Sequence, residues 1–220
     1  MKQSDAFLSS EGNAWFKRNQ CDWKAPMARR ELSRWCEPFK GGINNILEIG
    51  AGSGFPLAFL ANSLDSRATG IEPSQAAVEN WERGKSRVDC GKGVSLIQGV
   101  ASELPFEDGS FDVVGFGFCL YLVDRGSLFR SISEADRVLR DGGLLYIEDF
   151  DPSRRYSNRY IHMDGIRSFK SDYTSMFLAS GHYCLVSKCS YSHSSDSFDS
   201  VVDERVSMNL MYKQEAIAYE

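Results

Sequence analysis

Residues 46–54 read ILEIGAGSG, an apolar run that stops at three glycines with one residue between each pair. A strand ending on glycines lets backbone N–H groups approach a ligand without side-chain obstruction, at the positive end of the next helix. Spacing separates the candidate ligands. A dinucleotide loop needs G-x-G-x-x-G, whereas Gly50-Ala51-Gly52-Ser53-Gly54 is G-x-G-x-G and position 55 is Phe. A phosphate-binding P-loop needs Gly-Lys-Ser/Thr after a longer gap, and this segment has none. The next strand-like run ends Gly70-Ile71-Glu72-Pro73. A carboxylate at the tip of an adjacent parallel strand can accept both hydroxyls of a ribose. Taken alone, Glu72 is also compatible with an ordinary solvated strand end.

The hydrophobic period switches repeatedly between strand and helix. DAFLSSEGNAWFKRNQ and, after Pro26, MARRELSRWCEPF predict N-terminal helices, closed by Gly41-Gly42. INNILEIG predicts a first strand and PLAFLANSL a helix, with Pro56 in its first turn, where the missing N–H does no harm. RATGIEP predicts a second strand and SQAAVENWERGK a helix capped by Ser74. GVSLIQGV and SFDVVGFGFCLYL predict strands three and four. Leu128, Ile132, Ala135 and Leu139 mark one face of an amphipathic helix, and LLYIEDF predicts strand five. Five strands alternating with helices imply a doubly wound, mostly parallel, Rossmann-like α/β sheet. A polar loop, SRRYSNRYIHMDGIR, and a helix near SDYTSMFLASG follow. HYCLVSKCSYS and ERVSMNLMYKQ then predict an antiparallel C-terminal edge, giving seven strands. The organisation expected is an N-terminal helical lid over 1–43 and one structural unit over 44–220.

A net charge of −5 disfavours non-specific attraction to phosphates, although Arg29, Arg30 and Arg34 predict a small basic patch. The N-terminus has no apolar leader core, and no run approaches the roughly 18–20 apolar residues of a membrane span; the expectation is a cytoplasmic protein. Cysteines at 21, 36, 90, 119, 184 and 189 show no CxxC spacing. They read as reduced thiols, with no metal site.

ILEIGAGSG, GIEPS, VASELPFEDGSFDVV and LRDGGLLYIEDF, in this order and spacing, resemble the class I S-adenosylmethionine-dependent methyltransferases of the small-molecule, methyltransferase-11-like type. The resemblance covers roughly residues 44–150. It implies the cofactor S-adenosyl-L-methionine, with S-adenosyl-L-homocysteine as product. Gly50, Gly52 and Gly54 would pass beneath its methionine part, and Glu48 would help hold the amino group. Glu72 would take the ribose hydroxyls, and Pro73 would lie beside the adenine. The family often has an acidic residue where this chain has Val100, so recognition of the base would fall to the Ala101 amide and the Ser102 hydroxyl. The Phe116 carbonyl would face the amino group. Arg18, from the N-terminal helix, is a candidate for the cofactor carboxylate. The looser likeness of GNAWFKRN and the C-terminal tail is to bacterial enzymes of sugar and polysaccharide pathways. Strand four lacks the Asn/Asp-Pro-Pro-aromatic signature of amino-methylating enzymes acting on nucleobases.

Methyl transfer depends mainly on aligning the nucleophile with the methyl carbon. A hydroxyl nucleophile also gains from a base. His162 is the first candidate base, followed by Asp149 in a base or substrate role, and Tyr160 is a further site candidate as a ring to stack on a sugar, all at or after the end of strand five. Each equally suits a structural role: a surface histidine, a helix cap or salt-bridge carboxylate, a packed ring. The favoured function is O-methylation of a small molecule such as a sugar or sugar-nucleotide. Three rivals stand beside it: an RNA or protein methyltransferase, a non-catalytic S-adenosylmethionine-binding regulatory module, and a nicotinamide dehydrogenase. The sequence leaves the oligomeric state open.

Overall fold

The computed structural model describes residues 2–19, 27–84 and 92–217. Cys21, Trp23, Pro26 and Cys90 lie outside the described residues. The chain begins with α1 (Gln3–Ala6), a π-helical turn over Phe7–Glu11, and α2 (Gly12–Arg18), which run on as one helical segment. α3 (Met27–Cys36) follows, and then β1 (Asn45–Ile49). The alternation expected from the sequence continues as α4 (Phe55–Leu64), β2 (Arg67–Glu72), α5 (Gln75–Gly84), β3 (Val94–Gln98) and β4 (Phe111–Gly117). α6 (Leu128–Val138) and β5 (Leu139–Phe150) complete the parallel part of the sheet.

Beyond β5 the chain forms β6 (Tyr156–Arg159), β7 (Arg167–Lys170), α7 (Thr174–Leu178), β8 (Tyr183–Ser192) and β9 (Arg205–Lys213). The seven-stranded sheet has the order β3-β2-β1-β4-β5-β9-β8. β1 to β5 are parallel, and β9 pairs antiparallel with both β5 and β8. The two C-terminal runs therefore pair as expected, but β9 lies inside and β8 forms the edge. β9 is buried on both faces along nearly its whole length, which its run VSMNLM permits.

Successive residues of β1 serve opposite layers. Ile46 enters a core with Leu32, Leu57, Leu60 and Trp81 from α3, α4 and α5. Leu47 and Ile49 enter a second core with Leu128, Ala135 and Phe177 from α6 and α7. Pro56 sits in the first turn of α4 and Ser74 caps α5, its Oγ accepting the Ala77 N–H at 3.1 Å. The expected polar loop contains a hairpin instead, β6 paired with β7. Its strands are four residues long and carry no apolar alternation. Side chains hold it: Lys170 Nζ donates to the Asp203 carbonyl at 2.8 Å and lies 3.7 Å from the Phe150 ring centre.

Candidate active site

Two cavities open at the carboxyl ends of β1, β2 and β4, where ligands bind in open α/β sheets. The first runs from Glu72 and Pro73, past Gly99–Ser102, to Gly117, Phe118 and Cys119. Ser4, Phe7, Gly12 and Trp15 of the N-terminal helices cover it. The second, more open chamber lies over Gly50–Ser53 and is bounded by Phe55, Glu48, Glu148 and Tyr191–Asp196. Trp15, Gly50, Gly117 and Phe118 line both.

The glycine loop is held from beneath by an acid. Glu72 Oε2 accepts the Gly52 N–H at 2.8 Å and Oε1 accepts the Ser74 N–H at 2.9 Å. Burial pushes the Glu72 carboxyl above the usual carboxylate range, and those two amides oppose the rise. All three loop glycines have positive φ, but they differ in surroundings. A Cβ on Gly54 would stand 2.7 Å from the Trp81 ring, whereas one on Gly52 would meet nothing within 4 Å. Gly54 is thus a packing position, and Gly52 borders the open space of the second chamber.

Phe118 is one of two non-glycine residues with positive φ among those described, at 54°. Backbone strain of this kind persists only when the surroundings enforce it. Its N–H donates to the Glu148 carbonyl at 2.8 Å. Its ring lies 5.0 Å from Phe150, 5.4 Å from Tyr121 and 5.4 Å from His193. His193 also stacks on Phe150, with centroids 5.4 Å apart and planes 28° apart. An exposed imidazole from the loop after β8 is thereby set on the chamber wall.

Of the residues singled out in the sequence, Glu48, Gly50, Gly52, Glu72, Pro73, Val100, Ala101 and Ser102 line one cavity or the other. Gly54 lies behind the loop, and Phe116 is buried in the opposite core, 6.4 Å from Phe177. Arg18 is engaged elsewhere: it pairs with buried Glu11 and donates to Tyr160 Oη at 3.0 Å. Tyr160 Oη in turn donates to Glu11 at 2.8 Å. Asp149 is 2% exposed, and its oxygens accept the Phe150 and Tyr121 amides at 2.8 and 3.2 Å. His162 is exposed on the β6–β7 turn, 5.3 Å from the Tyr160 ring. Neither Asp149, Tyr160 nor His162 lines either cavity. His193 and Arg29 do, although neither had a place in the site expected from the sequence. Arg29 is withdrawn from the expected basic patch, buried against Glu48 and Glu148, while Arg30 and Arg34 are exposed and Arg34 pairs with Glu31. Among the described residues, no helix is long and apolar enough to cross a membrane.

Residues 47–147 match the methyltransferase domain family. The chain is 37% identical over 114 residues to the 27-O-demethylrifamycin SV methyltransferase of Amycolatopsis mediterranei, covering 51% of this chain and 40% of that protein. It spans from 30% to about half of the length of curated relatives it matches. Among solved structures it is similar to Burkholderia thailandensis 1,6-didemethyltoxoflavin-N1-methyltransferase, which holds 1,6-didemethyltoxoflavin and S-adenosylhomocysteine. The TM-score is 0.70 at 19% identity, over 96% of this chain and 88% of that one. It is also similar to the [4+2]-cyclase SpnF, with TM-score 0.60 and 15% identity over 96% and 94% of the two chains.

Proposed function

Because residues 47–147 match the methyltransferase domain family, we propose that the chain is a class I S-adenosylmethionine-dependent enzyme that transfers a methyl group from that cofactor to a small molecule. One observation carries the reading: the cavity that ends at Glu72 and the chamber that ends at His193 share a wall at Gly50, Gly117 and Phe118.

The residues present fit the cofactor. Glu72 keeps lone pairs for ribose hydroxyls beyond the two amides it accepts, and Pro73 and Ala101 offer apolar surface for the base. The open side of Gly52 leaves space over the loop, and Glu48 stands at its foot. When bound, the group supplies an electrophilic methyl carbon. The chain then binds and orients: Trp15 and Phe118 border both cavities, and α1 and α2 keep water from the first.

The acceptor favoured is hydroxylated, a sugar, sugar-nucleotide or other metabolite methylated on oxygen. Ser192, Ser194, Ser195, Asn19 and Asn80 surround the chamber with hydroxyl and amide groups, and Trp15 and Phe118 supply rings. In this reading His193 accepts the hydroxyl proton, since it is the imidazole on the chamber wall. One rival is a chain of this fold that transfers no methyl group, since the fold is shared with a [4+2]-cyclase.

Two measurements test the proposal. Calorimetry should show S-adenosylhomocysteine binding and no binding of nicotinamide dinucleotides. A labelled methyl group should then appear on an extracted metabolite, more slowly with His193→Ala. Binding without label transfer to any extract would sink the enzyme and leave the module.

A further inference from the structure

Behind the shared wall lies a cluster of charged and hydroxyl groups that the matched domain covers only in part, since Arg29, Glu148 and Tyr191 fall outside residues 47–147. Arg29, on α3, is 4% exposed. Its Nη2 donates to Glu48 Oε1 at 2.8 Å and to Glu148 Oε2 at 2.6 Å, and Nη1 reaches Tyr146 Oη at 3.4 Å. Tyr191 Oη donates to the other Glu148 oxygen at 2.5 Å. Strand β4 makes room for this. A Cβ on Gly117 would lie 2.2 Å from Glu48 Oε1, and one on Gly115 would lie 1.9 Å from the Tyr146 ring.

One guanidinium faces two carboxylates, so the cluster is one positive charge short. It is also one donor short. Glu48 is 1% exposed, and its Oε2 has no hydrogen-bond partner among the described residues. A buried, unpartnered carboxylate oxygen is costly unless something completes it. Glu48 lines the chamber beside Gly50 and Gly117.

Resting on the cofactor reading above, we propose that Arg29 is a positioning residue for the amino-acid end of the cofactor. By engaging Glu48 Oε1 from α3, it presents Oε2 as the acceptor for the ligand's ammonium group, whose charge completes the cluster.

The groups facing Glu48 are Arg29 from α3, Tyr146 and Glu148 from β5, Glu72 from β2 and Cys119 after β4. Burial lifts the Glu48 carboxyl above its ordinary range, Arg29 draws it back, and the Glu148 charge adds to the lift. Without the guanidinium, the Glu48 carboxyl rises further and takes up a proton more readily, and the neutral acid attracts an ammonium group less than the carboxylate does. Ligand binding must then displace that proton, which becomes easier as pH rises.

The test compares S-adenosylhomocysteine with 5′-methylthioadenosine, which has the nucleoside and sulfur but no amino-acid end. By calorimetry, Arg29→Met should weaken S-adenosylhomocysteine at pH 7 at least about tenfold and leave 5′-methylthioadenosine unchanged. The deficit should shrink by pH 9, and Arg29→Lys should recover part of it. If Arg29→Met does not fold, Arg29→Lys carries the same comparison, with a several-fold loss confined to S-adenosylhomocysteine. Equal losses for both ligands, no loss, tighter binding or a loss independent of pH would each overturn the role of Arg29. If the wild-type protein binds neither ligand, the cofactor reading itself falls.

Discussion

The Gly52 amide donates to Glu72 Oε2 at 2.8 Å, tying the glycine loop to the tip of the neighbouring strand. The carboxylate thus shapes the loop and also lines the first cavity. Glu72→Gln keeps an oxygen acceptor for one amide and loses the charge, whereas Glu72→Ala loses both. Affinity for S-adenosylhomocysteine should fall by about 1–3 kcal/mol in the alanine variant and by less in the glutamine variant. Calorimetry decides; equal affinities across the three proteins would remove Glu72 from the site.

Gly52 and Gly54 should fail in different ways. Both have positive φ, so alanine at either strains the backbone by roughly 1–2 kcal/mol. Gly54→Ala also drives a Cβ to 2.7 Å from the buried Trp81 ring. It should lower the melting temperature most. Gly52→Ala meets no protein atom within 4 Å and should stay folded while losing cofactor, because its methyl group enters the ligand's space. Melting curves with and without S-adenosylhomocysteine separate the two; a stabilising shift retained by Gly52→Ala would contradict the second half.

The loop, Glu72 and the capping Ser74 were legible because each depends on local pattern: a run, its glycines and the residues that follow. Arg29 was not, since in sequence it belongs to an apparently basic surface and only the packing of α3 on the sheet turns it inward. Gly115 and Gly117 read only as part of strand four. Their purpose, space for Tyr146 and Glu48, comes from cross-strand register: Gly115 pairs with both Glu48 and Tyr146. His193 sits in a serine-rich loop with no periodicity, and its neighbours Phe118 and Phe150 come from two other strand ends. Long-range packing, invisible in a linear pattern, decides all three.

Asp149 should make the protein more stable in mild acid than at neutrality. Burial pushes its carboxyl up to about 7, against the Phe150, Tyr121 and Leu120 amides that pull it down. An exposed aspartate titrates near ~3.9. Between those values the folded state holds a proton that the unfolded state has released, so stability falls as pH rises through that window and levels off above it. Glu48 and Glu72, also raised, act in the same direction. Asp112 and Asp124, both lowered, act in the opposite direction at the acid end. Asp149→Asn should flatten the melting temperature between pH 5 and 7.5 while lowering it at pH 5, because the Tyr121 N–H then faces an amide group. An unchanged slope would show that Asp149 ionises normally in the folded protein.

The N-terminal helices should control how fast ligand leaves. Ser4, Phe7, Gly12 and Trp15 cover the first cavity, so a ligand within it departs only when they lift. Two pins hold them. Gln3 Nε2 donates to the Leu122 and Arg167 carbonyls at 2.6 and 2.9 Å, and Asn13 Oδ1 accepts from Ala76 N and Ser74 Oγ, both at 2.9 Å. Each such bond contributes about 0.5–1.5 kcal/mol. Removing both pins in Gln3→Ala/Asn13→Ala should speed S-adenosylhomocysteine dissociation by about tenfold or more, with little change in association, as is usual when bound-state contacts are weakened. Trp15 borders both cavities and offers a stopped-flow fluorescence signal, with Trp15→Phe as the control that silences it. A dissociation rate unaltered in the double variant would mean that these helices cover the cavity without gating it.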